Sequence, residues 1–234
     1  MTPTPEDTLA ELAIRFPAAT RVFHRYTLDY CCKGGRSLED ACKAKILDPQ
    51  AVLNEIASEA DTGEPLKVSE LPISELIDRI LTRYHEPLRE ELPRLLAMAR
   101  KVEAVHGSKE SCPSGLSAHL AQVHAEVEAH LKKEECILFP MIRGGQPAYM
   151  PVQVMTKEHD DHANSLRKTR ELTNDFQPPP EACTTWRALF IGLSALEQDL
   201  MQHIHLENYV LFPRALNQPN PGGGLPQRSW LLSQ

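Results

Sequence analysis

Two copies of one pattern carry residues suited to binding metal: His130-Leu-Lys-Lys-Glu134 and His203-Ile-His-Leu-Glu207. Each sets an imidazole and a carboxylate four residues apart, one helical turn along and on the same face. The matching runs that follow end at Pro140 and Pro213, and His, Glu, Leu, Phe and Pro coincide between the copies. Upstream, Leu116/Leu189, Leu120/Leu193, Val123/Leu196 and Val127/Leu200 recur at intervals of three and four, the stripe of an amphipathic helix. The ligand-type residues continue that stripe, as Val123, Val127, His130, Glu134, Ile137 and as Leu196, Leu200, His203, Glu207, Val210. A His and a Glu thus stand where the pattern calls for core. A buried carboxylate costs several kcal/mol unless paired or metal-bound. Two copies of that cost predict one shared two-metal site.

Two more histidines complete the set. His85 precedes His130 by 45 residues, and His159 precedes His203 by 44. Each half therefore reads as a helical hairpin, and two hairpins make an up-down four-helix bundle. At about 1.5 Å of rise per residue, a return of this size brings both histidines of a hairpin to one level. Four imidazoles and two carboxylates there fit two ions bridged by the carboxylates. Nitrogen and oxygen ligands without thiolate suit iron, with manganese and zinc as rivals. A single His at such a place is more often a packed core residue, but the doubled spacing favours the metal.

The remaining histidines read differently. His124 and Glu128 share the four-residue spacing, yet His124 lies about 240° around the helix from His130. Its counterpart in the other copy is Glu197. It is read as a surface or hydrogen-bonding residue, as are His24, His106 and His119. His162, one turn beyond His159, is an alternative ligand or an outer partner of the ligands; His205 falls off the face. One turn before each helix histidine stands an acid, Glu126 and Asp199. With Glu158 as a weaker member, these are read as outer partners of the imidazoles or as a path for iron or protons.

The elements needed to position these groups make an all-α protein. Residues 1–60 are expected to form a small helical domain with helices around Leu9–Phe16, Val22–Tyr26, Leu38–Cys42 and Val52–Ile56, capped in part by Ser37 and Asp48. A linker over 61–72 leads to the bundle at 73–216, followed by a flexible tail at 217–234. The long helices are expected near 74–106, 115–142, 151–176 and 181–216, with Pro87 and Pro93 bending the first. The 234 residues carry a net charge of −7 without long basic runs, which argues against a nucleic-acid partner. No apolar run approaches the roughly 20 residues of a membrane span, and the first residues lack the pattern of a secretion signal. A cytoplasmic protein with six reduced thiols is expected.

Together the motifs resemble the Repair of Iron Centers family of iron–sulfur cluster repair di-iron proteins, which have a hemerythrin-like bundle. The resemblance covers about residues 7–216. It rests on Asp29-Tyr-Cys-Cys32, Arg83-Tyr-His85, His130-x-x-Lys-Glu-Glu135, Ile137-Leu-Phe-Pro-Met141, Glu158-His-Asp160, Pro178-Pro-Pro-Glu-Ala-Cys-Thr-Thr-Trp186, His203-x-x-x-Glu207 and Leu211-Phe-Pro-Arg-Ala215. Pro87 beside His85 and the Pro/Gly-rich tail depart from its pattern. The resemblance implies a non-haem centre of two iron ions with an oxo-type bridge, held by His85, His130, Glu134, His159, His203 and Glu207. It also implies a role in restoring clusters damaged by nitric oxide or peroxide, by supplying iron to damaged or apo iron–sulfur proteins.

The adjacent Cys31 and Cys32 are either two small packing residues or a thiol pair that relays iron, is oxidised or captures nitric oxide. The second reading is preferred. Cys42, Cys112, Cys136 and Cys183 are read as packing or surface residues. Against the iron donor stand a nitric oxide reductase or a sensor binding nitric oxide or oxygen at the same site and, more weakly, a zinc or structural bundle. A homodimer is compatible with the sequence without being required by it.

Overall fold

Proline, glycine and capping residues punctuate the chain into helices. The computed structural model describes residues 2–59 and 68–217, and every regular element among them is helical. Most of the expected linker, and the tail from residue 218 on, lie outside the described residues. Four short helices come first: α1 (Leu9–Arg15), α2 (Ala18–Arg25), α3 (Leu38–Lys45) and α4 (Pro49–Ser58). A capping box opens α1, where Thr8 Oγ1 accepts from the Glu11 amide and the Glu11 carboxylate accepts from the Thr8 amide. Ser37 and Asp48 cap α3 and α4 as the sequence predicts. Their apolar sides close on a small core that includes Leu12, Phe23, Tyr30, Leu38 and Leu53, and Met201, from far along the chain, packs against it.

The bundle comprises α5 (Ile73–Ile80), α6 (Glu86–His106), α7 (Leu116–Lys133), α8 (Phe139–Arg143), α9 (Tyr149–Thr173), α10 (Thr184–Leu206) and α11 (Phe212–Leu216). Three π-helical turns, Leu81–His85, Glu134–Leu138 and Glu207–Leu211, join α5 to α6, α7 to α8 and α10 to α11. Four long rods result, with α6 against α7 and α10, and α9 against α7 and α10. Along each rod the ligand-type histidines and glutamates fall between two apolar clusters. One cluster includes Leu95, Leu120, Trp186 and Leu193; the other includes Ile77, Phe139, Met155 and Leu211.

The π turns share one chemistry. The amides of Glu86, Phe139 and Phe212 donate to the carbonyls of Leu81, Glu134 and Glu207, five residues back. The next residue in each case is a proline, Pro87, Pro140 or Pro213. Proline has no amide to continue the four-residue ladder, and the wider turn takes up the mismatch. Pro87 is thus a third instance of the device seen in the repeat, and the chain passes His85 by a widened turn. Pro93 lies inside α6, which continues through it.

Two boundaries differ from the periodic expectation for physical reasons. Ile137, expected on the inner face, is 53% exposed, whereas Leu138 is 1% exposed. The π turn spends an extra residue and brings Leu138 inward, whereas at the matching turn both Val210 and Leu211 are buried. The third long helix stops at Thr173, short of Phe176, because Asn174, Asp175 and Phe176 adopt φ of 49°, 54° and 60°. Successive left-handed residues cannot extend a right-handed helix.

Candidate metal centre

The bundle brings His85, His130, Glu134, His159, His203 and Glu207 into one buried layer, none of them more than 2% exposed. His85 closes the first π turn, and Glu134 and Glu207 open the other two. His130 and His203 lie one turn earlier on α7 and α10, and His159 sits on the uninterrupted α9. The six form two groups, His85 with His203 and His130 with His159, each with both glutamates and with ligand atoms within 4.8 Å of one another. The Nε2 atoms are 3.1 Å apart in the first pair and 3.2 Å in the second. Two imidazole nitrogens at about 2.0–2.1 Å from one ion stand about 3.0 Å apart at a right angle and about 3.4 Å apart at a tetrahedral angle. The observed edges fall between these limits.

The carboxylates face both groups. Glu134 Oε1 is 3.3 Å from His130 Nε2, and its Oε2 is 3.5 Å from His85 Nε2. Glu207 Oε1 is 3.0 Å from His203 Nε2, and its Oε2 is 3.2 Å from His159 Nε2. Each thus offers one oxygen to each pair, as a bridging ligand does. Both oxygens of Glu134 are buried without a hydrogen-bond donor. Burial, and then Glu207, raise the Glu134 pKa. Burial opposes ionisation of Glu207 too, but His203 and His159 outweigh it and hold this carboxyl well below the usual range. Burial and His203 push His85 down to about 4; in His130 burial is outweighed by Glu134, which lifts the ring to about 9. An undonated carboxylate in a dry layer is costly, and a cation is the partner that relieves it.

Three of the four imidazoles are steered from outside. His85 Nδ1 donates to Glu135 Oε1 at 2.8 Å, His130 Nδ1 to Glu158 Oε2 at 3.0 Å, and His159 Nδ1 to Asn208 Oδ1 at 2.8 Å. A proton on Nδ1 leaves the Nε2 lone pair free for an ion. Glu135 is clamped by Arg89 at 2.9 and 3.1 Å, and Glu158 by Lys133. His203 differs: its Nδ1 has no hydrogen-bond partner among the described residues, and its ring stacks on Tyr84 at 5.6 Å.

Among Glu126, Glu158 and Asp199, only Glu158 reaches a ligand-type imidazole. Glu126 is exposed and accepts from Gln122 Nε2, and Asp199 pairs with Arg83 at 2.8 Å. Helical side chains lean toward the N-terminus, so an acid one turn before a histidine leans away from it. Glu135 and Asn208 were passed over by sequence reasoning. The signal was there, since each directly follows one of the two repeated glutamates.

The other histidines have other partners. The His162 ring stands perpendicular to His130 at 4.8 Å, with neither nitrogen hydrogen-bonded. His119 Nε2 meets the Ser165 carbonyl and Thr169 Oγ1, and His106 meets Cys183 Sγ. His205 Nδ1 reaches the Tyr30 carbonyl, tying α10 to the segment that follows α2. His24, expected at the surface or hydrogen-bonded, is buried and bonds Glu197 Oε2 at 2.7 Å. Cys31 and Cys32 lie beside His159, with Cys31 buried and its thiol pKa raised by the neighbouring sulfur and by burial.

Residues 76–215 match the hemerythrin HHE cation binding domain, and residues 5–60 match a domain of unknown function, DUF542. The iron–sulfur cluster repair protein YtfE of Citrobacter koseri is 46% identical over 210 residues, covering 89% of this chain and 96% of the relative. Proteins of the same name from Escherichia coli and Shigella boydii match with the same identity and coverage. No helix among the described residues is long and apolar enough to cross a membrane. With a match to most of the bundle and relatives this close along nearly the whole chain, the protein belongs to the hemerythrin HHE cation-binding family, in the group that contains the YtfE proteins.

Proposed function

We propose that His85, His130, His159 and His203 hold two iron ions bridged by Glu134 and Glu207, with an oxo-type bridge between them. We further propose that the chain donates this iron to damaged or apo iron–sulfur proteins in the cytoplasm under nitrosative or oxidative stress. The observation that carries the reading is the disposition of the two carboxylates, each with one oxygen toward each pair of imidazoles. The name of the relatives, iron–sulfur cluster repair protein, supports the role. When bound, such a pair of ions supplies exchangeable, redox-active iron. The chain's own residues orient the rings through Glu135, Glu158 and Asn208 and keep water from the layer. Glu135 and Glu158 are also 28% and 25% exposed, so each links a buried imidazole to solvent.

Iron stoichiometry of purified variants tests the ligand set. His130→Ala, His203→Ala, Glu134→Ala and Glu207→Ala are each expected to lower bound iron sharply, while His124→Ala and His119→Ala keep it. Wild-type iron content in both glutamate variants would exclude the bridging role. Transfer of iron from the reduced protein to an apo iron–sulfur protein tests donation.

A further inference from the structure

The turn between α2 and α3 reads Asp29-Tyr-Cys-Cys32 and lies directly against the metal centre. Asn208, which holds the His159 ring through Oδ1, donates from Nδ2 to the Cys31 carbonyl at 2.9 Å. Cys32 Sγ donates to the His159 carbonyl at 3.4 Å. Tyr209 pins the turn from the other side, its hydroxyl donating to the Cys32 carbonyl and accepting from the Gly35 amide. Gly34 permits the close approach: a Cβ there would fall 2.3 Å from the Tyr30 carbonyl oxygen and 2.9 Å from the Tyr209 ring.

Three ligand-type atoms converge on this pinned turn. Cys31 Sγ and Cys32 Sγ are 3.6 Å apart, and Cys31 Sγ is 3.4 Å from Asp29 Oδ1. All three side chains offer atoms within 4.8 Å of one another. Metal–sulfur bonds of about 2.3 Å and metal–oxygen bonds of about 2.0–2.2 Å give tetrahedral edges of about 3.8 Å between sulfurs and about 3.5–3.6 Å between sulfur and oxygen. The two edges at Cys31, 3.6 Å to the other sulfur and 3.4 Å to the carboxylate oxygen, lie within about 0.2 Å of these values. Asp29 Oδ1 also accepts the amides of Cys32 and Lys33, which fixes the carboxylate in place. The turn explains Asp29 by itself, but not two sulfurs gathered beside it at ligand-edge distances.

We infer that Asp29, Cys31 and Cys32 form a further metal site, which takes one divalent cation of the ferrous or zinc type as it enters or leaves the bundle. Binding exchanges two S–H bonds for two metal–sulfur bonds, and both protons go to solvent; no electron moves. The transit role rests on the iron-donor reading, whereas the binding itself does not. The site differs from the buried layer in kind, because thiolates favour softer ions than a set of imidazoles and carboxylates does.

The probe is Co2+, added without oxygen to the thiol-reduced, full-length protein whose bundle already carries iron. The expected result is one further equivalent with a sulfur-to-cobalt charge-transfer band in the near ultraviolet. Cys31→Ser with Cys32→Ser should abolish the band, and Asp29→Asn should weaken binding about tenfold or more. Cys31 is fully buried, so the half-buried Cys32→Ser serves alone if the double variant fails to fold. No further equivalent, or a band that survives the cysteine changes, would overturn the site and leave both thiols as packing residues. Metal analysis of the same samples reads the bundle separately, so its failure to hold iron is distinguishable from failure at the thiols. An unchanged rate of iron release to a chelator in the cysteine variants would overturn the transit role.

Discussion

Glu135 and Asn208 occupy equivalent places in the two copies, and each bonds the first histidine of its own hairpin. The equivalence breaks at the residue before that histidine. Glu158 bonds His130, whereas Tyr84 stacks on His203 and leaves its Nδ1 unpaired. The two pairs of imidazoles are therefore chemically unequal. Asn208→Leu is expected to weaken metal binding about 10–100-fold, the usual cost of losing an outer acceptor. Glu126→Leu should leave binding unchanged, and competition with a chelator measures both. The six ligand-type residues were legible because their spacing is doubled and their chemistry contradicts an apolar stripe. Of their outer partners only Glu158 was named beforehand, because such partners come from neighbouring helices and sequence does not show how two helices are rotated against each other.

At the scale of elements, the π turns put His85, Glu134 and Glu207 at the places where the helical register changes. Deleting Ile137, which is exposed and spent on the wider turn, should return that turn to ordinary helix. Leu138 and Phe139 would keep their inward face, but the Glu134 carboxylate would be re-aimed. Circular dichroism is expected to show undiminished helix while bound iron falls several-fold; wild-type iron would show that register does not aim the ligand. Sequence revealed the prolines and the helices on either side. It did not reveal the five-residue bond, since the periodic stripe assumes a constant number of residues per turn.

Across the whole molecule, the N-terminal helices are docked on the bundle through a buried polar contact. Glu197 on α10 accepts from His24 of α2 at 2.7 Å and from Arg170 Nε of α9 at 2.8 Å, with side-chain exposures of 5%, 9% and 17% for Glu197, His24 and Arg170. Glu197→Ala would take from His24 its carboxylate acceptor and leave Arg170 with the exposed Asp175, 3.3 Å away, a loss toward the lower end of the about 3–5 kcal/mol typical of a broken buried pair. A fall in Tm on the order of 10 °C follows, with iron per chain retained; calorimetry with metal analysis checks both. A Tm within a degree or so of wild type would mean the contact holds nothing together. A core as small as that of the N-terminal helices gains stability from a neighbour. The identity of the contact was hidden, because 173 residues separate His24 from Glu197 and nothing local marks either one.

In the proposed centre, sharing both carboxylates between two positions also sets how many ions the layer favours. Glu134 and Glu207 bring two negative charges among imidazole ligands. With neutral imidazoles, one divalent ion makes the layer electrically neutral; a second leaves it doubly positive in a dry interior, before any bridging anion is counted. Loss of one ion from such a layer would relieve repulsion, and Glu134 and Glu207 would then both be available to the other. Occupancy should fall in steps: a chelator added to the reduced protein is expected to remove about half the iron quickly and the rest much more slowly. On the proposed iron-donor reading, the molecule after donation is a singly loaded, charge-balanced form ready to be refilled.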